Sequence, residues 1–296
     1  MNPIGQVSSA QTGQTHRAPA LSTVDCRLST DKLLAVLRGR VSGGVLVALS
    51  GGVDSAVVLA ALARLQREQP FKLLAVTAAT PFHLVREGEE AAAVARQLGV
   101  AHRLLHIDTL QNAAVVANPP DRCYHCKRAL FSQLLALAEA EGLSTVMEGT
   151  HAGDSAGWRP GRKALAELGI CSPLAEAGLT KPEIRALAAA WALSVAQKPS
   201  APCLATRFPY GTAITAEGLE RVGLCEALLR RLLPDVRELR VRDHLPLARL
   251  EVPPEAFQTV LAHREELLNL LQAAGYPFVT LDLAGFRSGS FDKGLV

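Results

Sequence analysis

The run Leu46-Val47-Ala48-Leu49-Ser50-Gly51-Gly52-Val53-Asp54-Ser55 constrains this chain more than any other stretch. Its apolar start, over 45–49, predicts a short buried strand. Ser50-Gly51-Gly52 predicts a turn that tolerates positive φ and leaves no side chain in a ligand's way. An apolar-rich helix follows over 53–65. Strand, glycine turn and helix N-terminus together form an anion site, because unpaired amide groups and the helix dipole point at the same spot. Ser50 and Ser55 add hydroxyl donors. Asp54 would repel a phosphate unless a metal lies between them, so it reads as a Mg²⁺ holder.

No lysine follows the glycines, so this is not the GxxxxGK[ST] loop. The order Ser-Gly-Gly-x-Asp-Ser resembles the PP-loop of ATP pyrophosphatases. That resemblance implies cleavage of ATP between its α and β phosphates, adenylation of a substrate oxygen and release of pyrophosphate.

Downstream, strands expected over 72–78, 102–108 and 144–149 alternate with helices over 86–98, 130–141, 163–168 and 181–192, after a first helix over 30–38 capped by Ser29 or Thr30. Alternation of this kind predicts an α/β fold with a doubly wound parallel sheet. Ligands of such sheets lie beyond the carboxyl ends of the strands. The glycine loop, Thr77 and Gly149 all fall on that edge. From about residue 193 the pattern changes. A proline-bounded loop leads to a helix over 216–233, strands over 236–241 and 247–252, a long helix over 255–274 and a strand over 278–283. This predicts a smaller C-terminal α+β domain with an antiparallel sheet. The expected organisation is a disordered tail over 1–28, an ATP-binding domain over 29–195, and a loop with a substrate and sulfur-transfer domain over 196–296.

Composition narrows the class. The chain has 296 residues, is 49% hydrophobic and 20% charged, and no apolar run approaches the length of a membrane span. A net charge of +3 is too mild to demand nucleic acid. Six cysteines, two of them in Cys123-x-x-Cys126, suit metal or redox work in a reducing cytoplasm better than a disulfide frame.

Cys123-Tyr124-His125-Cys126 is expected in a loop, since prolines precede it. Cys203 lies in the later proline-bounded loop. Both loops are expected at the ligand edge, where the three thiols could meet. They suit zinc, with His125 as fourth ligand, or a [4Fe–4S] cluster with one iron left open. Arg207, four residues beyond Cys203, is expected to lower that thiol's pKa and make it nucleophilic. Cys26, Cys171 and Cys225 read as structural, and Trp158 as a packing residue. Arg240 and Arg242 alternate on one strand face, and Arg287 lies in a Gly-Phe-Arg-Ser-Gly-Ser turn. Such guanidinium groups suit a phosphate.

Taken together, the chain resembles the LarE family of ATP-dependent sulfur transferases, which help build the nickel-pincer nucleotide of lactate racemase. The matching pieces are the SGGVDS loop, RCYHCK (122–127), EGT (148–150), RPG (159–161), ELG (167–169), SPL (172–174), CLATRFPYG (203–211), RVR (240–242), LARLEV (247–252) and GFRSGS (285–290). The resemblance implies ATP and Mg²⁺ on Ser50, Gly51, Gly52, Asp54, Ser55, Thr77 and Gly149. It makes Cys203 the sulfur-delivering cysteine, with Arg207, Arg240, Arg242, Arg287, Glu226 and Glu251 around the substrate. Members with cysteines at positions 123, 126 and 203 hold a [4Fe–4S] cluster; simpler ones sacrifice one cysteine. The implied substrate is a pyridinium dicarboxylate mononucleotide, the implied partners are a sulfide source and further copies of the chain, and the setting is cytoplasmic. His151 departs from the asparagine expected after Gly-Thr. Rival readings are a tRNA thiolase, an amide-forming PP-loop ligase with zinc, and a zinc-binding regulator.

Overall fold

The computed structural model describes residues 25–155, 159–199, 202–287, 289 and 291. Most of the expected tail, residues 1–24, and Trp158 lie outside them. The first sheet has the order β3-β2-β1-β4 and is parallel throughout. Its strands are β1 (Val45–Ala48), β2 (Leu73–Ala79), β3 (Ala101–His106) and β4 (Thr145–Met147). Alternate residues of β1 and β2 enter different cores. Val45, Val47, Leu73 and Ala75 meet α1 (Cys26–Arg38), α2 (Val53–Glu68), α3 (Val85–Leu98) and, later in the chain, a helix over 181–190. Leu46, Leu74 and Val76 meet the opposite layer, supplied by helices over 122–140 and 160–167. The period-2 alternation of strands thus puts helices on both faces. β1 lies between β2 and β4, so strand order reverses beside it, and the crevice of a doubly wound sheet opens at its carboxyl end.

The first helix begins earlier than expected. Asp25 accepts hydrogen bonds from the amides of Arg27 and Leu28, so α1 starts at Cys26 and takes in residues assigned to the tail. After β3 come α4 (Ala113–Val116), α5 (Arg122–Ala140), α6 (Pro160–Glu167), α7 (Pro173–Glu176) and α8 (Lys181–Ala190). The expected cysteine loop is a correction. Pro119 and Pro120 stop short of the motif, and Cys123 to Cys126 form the first turn of α5. A pair three residues apart on a helix shares one face.

The second sheet is formed by β5 (Arg240–His244), β6 (Leu247–Glu251) and β7 (Phe278–Leu281) in that order, after α9 (Ala216–Leu232). It is mixed, not antiparallel. β5 and β6 form a hairpin, but β6 and β7 run parallel. A helical crossover separates β6 from β7, and a crossover returns the chain in the same direction. That helical stretch is also broken, at His263, into α10 (Phe257–Ala262) and α11 (Arg264–Ala273). Val241, Ala248 and Leu250 pack with Cys225 and Leu229 of α9 in a separate core. Between the two halves, Phe82, Val115, Leu204, Phe208, Leu219 and Val222 form a joining cluster. Among the described residues no helix is long and apolar enough to cross a membrane.

Candidate active site

At the carboxyl end of β1 the chain turns through Gly51, at φ 70°. A Cβ there would lie 2.8 Å from the Glu87 carbonyl oxygen, so the turn demands glycine twice over. Gly52 caps α2 without any side-chain cap bond. The first hydrogen bond inside this helix is from Ala56 N to Gly52 O, at 3.2 Å. The amides of Val53, Asp54 and Ser55 precede it, in the turn where a helix N-terminus supplies no partner of its own. Ser55 Oγ accepts from Ser50 N at 3.1 Å and lies 3.1 Å from Ser50 Oγ, which fixes both hydroxyls at the loop mouth.

Gly149 follows β4 and closes against this loop. A Cβ at 149 would come within 2.6 Å of Ser55 N and 3.1 Å of Asp54 Cβ. Buried Glu148 orients that turn by accepting from Thr150 N, Thr150 Oγ1 and Ser172 Oγ at 2.9, 2.8 and 2.6 Å. Thr77 lies inside β2, not after it. Its hydroxyl donates to Leu49 O at 2.7 Å and lies 2.9 Å from His102 Nε2, so it ties strands together. His151 binds back locally, accepting from Gly153 N at 3.0 Å.

Two lysines escaped the sequence reading. Lys181 Nζ reaches both carboxylate oxygens of Asp54 at 2.6 Å. Lys198 Nζ donates to Gly51 O at 2.8 Å and pairs with Glu90. It thereby fastens the start of the Cys203 segment to the glycine loop. Only a positive charge placed where helix electrostatics disfavours it, at the first position of α8, hinted at Lys181.

The cysteines come together through a clamp that was also missed. Asn118, at φ 54°, is fully buried and donates to Pro209 O at 2.7 Å. Arg122 donates to Asn118 Oδ1 and to Ala205 O, the latter at 3.1 Å. This joins the start of α5 to the short turn Leu204–Arg207, of which Cys203 is the cap residue. Leu204 N donates in turn to Phe82 O at 2.9 Å. Cys126 and Cys203 both border the joining cluster. Burial first, then charge on Cys203 and Cys123, pushes the Cys126 thiol up to about 12. The three sulfurs are therefore near enough to sense one another. Lys127 Nζ, 3.8 Å from Glu148, links the same helix turn to the nucleotide edge. Among the described residues no group of three or more His, Cys, Asp or Glu forms a metal-ion site as it stands. Closed single-ion centres need ligands within about 2.3 Å of one point. Three part-buried free thiols, two of them with ionisation pushed up by burial, are still a donor set that a polynuclear cation would relieve.

The expectation for Arg207 needs correcting. Burial dominates the Cys203 thiol and pushes it up, although Arg122 and Arg207 pull the other way. Arg207 is also engaged. It grips Glu226 through Nε and Nη2, each at 2.8 Å, and donates through Nη1 to Pro202 O and Cys203 O at 2.8 and 3.2 Å. It shapes the thiol turn from behind. Glu226 and Glu251 are 2% and 0% exposed, so neither is a surface residue. Glu226 also receives Arg230 and Val241 N. Glu251 receives Arg242 at 2.7 Å and Arg249 at 3.0 Å. Arg240 and Arg242 share the polar face of β5, as expected, and both are buried. Arg242 also donates to Thr206 O, which brings the arginine strand against the thiol turn. Burial, then the nearby Arg207, pushes Arg240 down to about 10. A guanidinium so placed is stabilised by an incoming anion. Arg287 is half-exposed and lies 3.9 Å from Asp282. Ser288 and Ser290 lie outside the described residues. Cys171 and Cys225 are buried and packed; the former accepts from Arg40 at 2.9 Å.

Comparison with known proteins fits this geometry. Residues 35–152, from α1 to just past Gly149, match the asparagine synthase family. An uncharacterised protein of Synechocystis is 40% identical over 250 residues, which is 84% of this chain and 91% of that one. A tRNA-cytidine(32) 2-sulfurtransferase of Alkalilimnicola ehrlichii is 33% identical over 168 residues, 50% of this chain and 52% of that one. A pyridinium-3,5-bisthiocarboxylic acid mononucleotide synthase of Lactiplantibacillus plantarum is 35% identical over 270 residues, 90% of this chain and 96% of that one. With the glycine loop, the parallel sheet and near-complete coverage in agreement, the chain belongs to the LarE family of PP-loop sulfur transferases.

Proposed function

We propose that this chain adenylates a carboxylate of a pyridinium dicarboxylate mononucleotide and converts it to a thiocarboxylate, as the name of its Lactiplantibacillus relative suggests. The product would serve the nickel-pincer cofactor of lactate racemase. The observation that carries this reading is the joining of two unlike sites: an uncapped glycine loop at a helix N-terminus and three part-buried free thiols, linked through Lys198 and Lys127.

The PP-loop is an ATP and Mg²⁺ site. Ser50, Gly51, Gly52, Ser55 and Gly149 would cradle the phosphates, with Thr77 bracing the strand behind them. Asp54 would hold Mg²⁺, which supplies charge neutralisation to the leaving pyrophosphate. The substrate carboxylate attacks the α phosphorus, the bond to the bridging oxygen breaks, and that oxygen's electron pair leaves with pyrophosphate. Amides of the first turn of α2 stabilise the charge that develops. A sulfide nucleophile then attacks the acyl carbon and AMP departs. Arg240, Arg242 and Arg287 would hold the substrate phosphate, with Glu226 and Glu251 fixing the guanidinium groups and Arg207 fixing the thiol turn.

Cys123, Cys126 and Cys203 would hold a [4Fe–4S] cluster, which when bound supplies an iron free of protein ligands at which sulfide is kept. The thiols suit that role because they are part-buried and free of disulfides, and Cys126 and Cys203 both border the joining cluster. The boundary between an ATP-binding part over 29–195 and a substrate part over 196–296 belongs to the same reading, as do a cytoplasmic setting and self-association.

The test is anaerobic purification with iron and sulfide counts, combined with ATP–pyrophosphate exchange in the presence of the dicarboxylate mononucleotide. We expect exchange that requires the mononucleotide, and iron–sulfur absorbance that disappears in Cys123→Ala. Absence of exchange with bound iron intact would remove the activation step. A loss of about 34 Da at Cys203 after one turnover, the mass of H₂S, would replace the cluster by a consumed cysteine.

A further inference from the structure

We propose that Lys181 is an exchangeable cation of the nucleotide site: it occupies Asp54 in the free protein and moves onto the pyrophosphate half of ATP once metal takes the carboxylate. The inference rests on the nucleotide reading above and deepens it.

Lys181 Nζ contacts both oxygens of Asp54 at 2.6 Å, so the carboxylate assigned to the metal is already neutralised. A metal ion on those oxygens would stand beside the ammonium, and the repulsion between the two cations makes each weaken the other's hold. Binding of metal and retention of this ion pair are therefore competing events. Lys181 is also electrostatically misplaced for its own helix. It is the first residue of α8, where the dipole favours anions, and the Thr180–Glu183 capping box already completes that terminus. A local rule broken without local gain marks a functional position.

The backbone of α8 is held firmly while the side-chain tip is partly exposed. Ile184, Leu187 and Ala188 are fully buried in the core shared with α2. The side chain of Lys181 is 32% exposed and that of Asp54 27%. A flexible four-carbon stem on a rigid helix can reorient its ammonium without moving the backbone. The N-termini of α2 and α8 thus meet at one spot, with Lys181 between them. Once Mg²⁺ neutralises Asp54, the ammonium has lost its partner beside a nucleotide that remains negatively charged. As the α-phosphorus to oxygen bond breaks, the electron pair goes to the pyrophosphate oxygen. Lys181 offsets that charge without any proton transfer.

The experiment uses the full chain with Lys181→Met and Lys181→Arg, checked for folding by circular dichroism. Free Mn²⁺ is titrated by electron paramagnetic resonance without nucleotide, and ATP–pyrophosphate exchange is measured separately. In Lys181→Met, Mn²⁺ binding should tighten several-fold because its competitor is gone. Exchange should fall by a factor of roughly 10² to 10³ in kcat with little change in KM, and Lys181→Arg should recover part of it. Unchanged Mn²⁺ affinity would overturn the competition, and exchange within twofold of wild type would overturn the transfer onto pyrophosphate. If wild type exchanges but the Met variant behaves identically, this inference alone fails. If wild type itself binds neither metal nor ATP, the nucleotide reading fails and takes the inference with it.

Discussion

Arg122 and Arg207 both favour ionisation of Cys203, yet burial outweighs them, and Cys126 is held up to about 12 by burial and by its two sister thiols. Sequence spacing shows a cation near a thiol but not how much water has been removed from it. Alkylation of Cys126 by iodoacetamide should therefore be slow at neutral pH and rise about tenfold per pH unit toward pH 12. Mass spectrometry of the labelled peptide checks this; a plateau near pH 9 would contradict it. The linkage has the matching sign. A thiol whose pKa is raised on folding lends stability below pH 9, its ordinary value, and that contribution is lost between pH 9 and about 12. The Arg207–Glu226 pair is buried on both sides, at 4% and 2% exposure. Glu226→Gln leaves a buried guanidinium without its counter-charge and should lower stability by about 3–5 kcal/mol. Urea unfolding measures it, and a loss under 1 kcal/mol would mean that the pair is not structural.

The meeting of β4 with α2 is an element-scale device, since Gly149 exists where it does because Ser55 N occupies the place of a Cβ. Gly149→Ala should push the strand end off the loop. Pyrophosphate exchange should drop at least tenfold, while the α9–β5–β6 core, which lies in a separate cluster, keeps its unfolding midpoint. Equal loss in both would show global damage. The cysteine motif belongs to this scale as well. Read as a loop because of its prolines, it is the first turn of α5, because proline ahead of a helix does not interrupt it. The helical form brings both sulfurs to one side, and the Asn118–Arg122 clamp aims that side at the turn bearing Cys203.

Across the whole molecule, the thiol turn is the joint. It is bonded to the first sheet's edge through Phe82, to α5 through Arg122 and to the second sheet through Arg242. In the proposed mechanism the nucleotide lies on the glycine loop of the first sheet and the mononucleotide phosphate on Arg240 and Arg242 of the second, the two sheets that this joint connects. Magnesium–ATP and inorganic phosphate should therefore stabilise independently. Each at one hundred times its Kd adds about 2.7 kcal/mol, a rise of roughly 4 °C for a protein of this size. Arg240→Ala should remove the phosphate increment and keep that of ATP in a thermal-shift assay. Loss of both would mean that one site had been mistaken for two.

The sequence by itself determined the glycine turn between strand and helix, the parallel sheet and the positions of three thiols along the chain. Each is written in local terms: a strand followed by two glycines, apolar residues at period two, and cysteines at named positions. The helical state of the Cys123 motif, the mixed second sheet, the burial of Glu226 and Glu251, and the Lys181–Asp54 pair were decided only by the tertiary structure. Each depends on groups brought together from distant parts of the chain or on removal of water, and neither leaves a mark on a short run of residues.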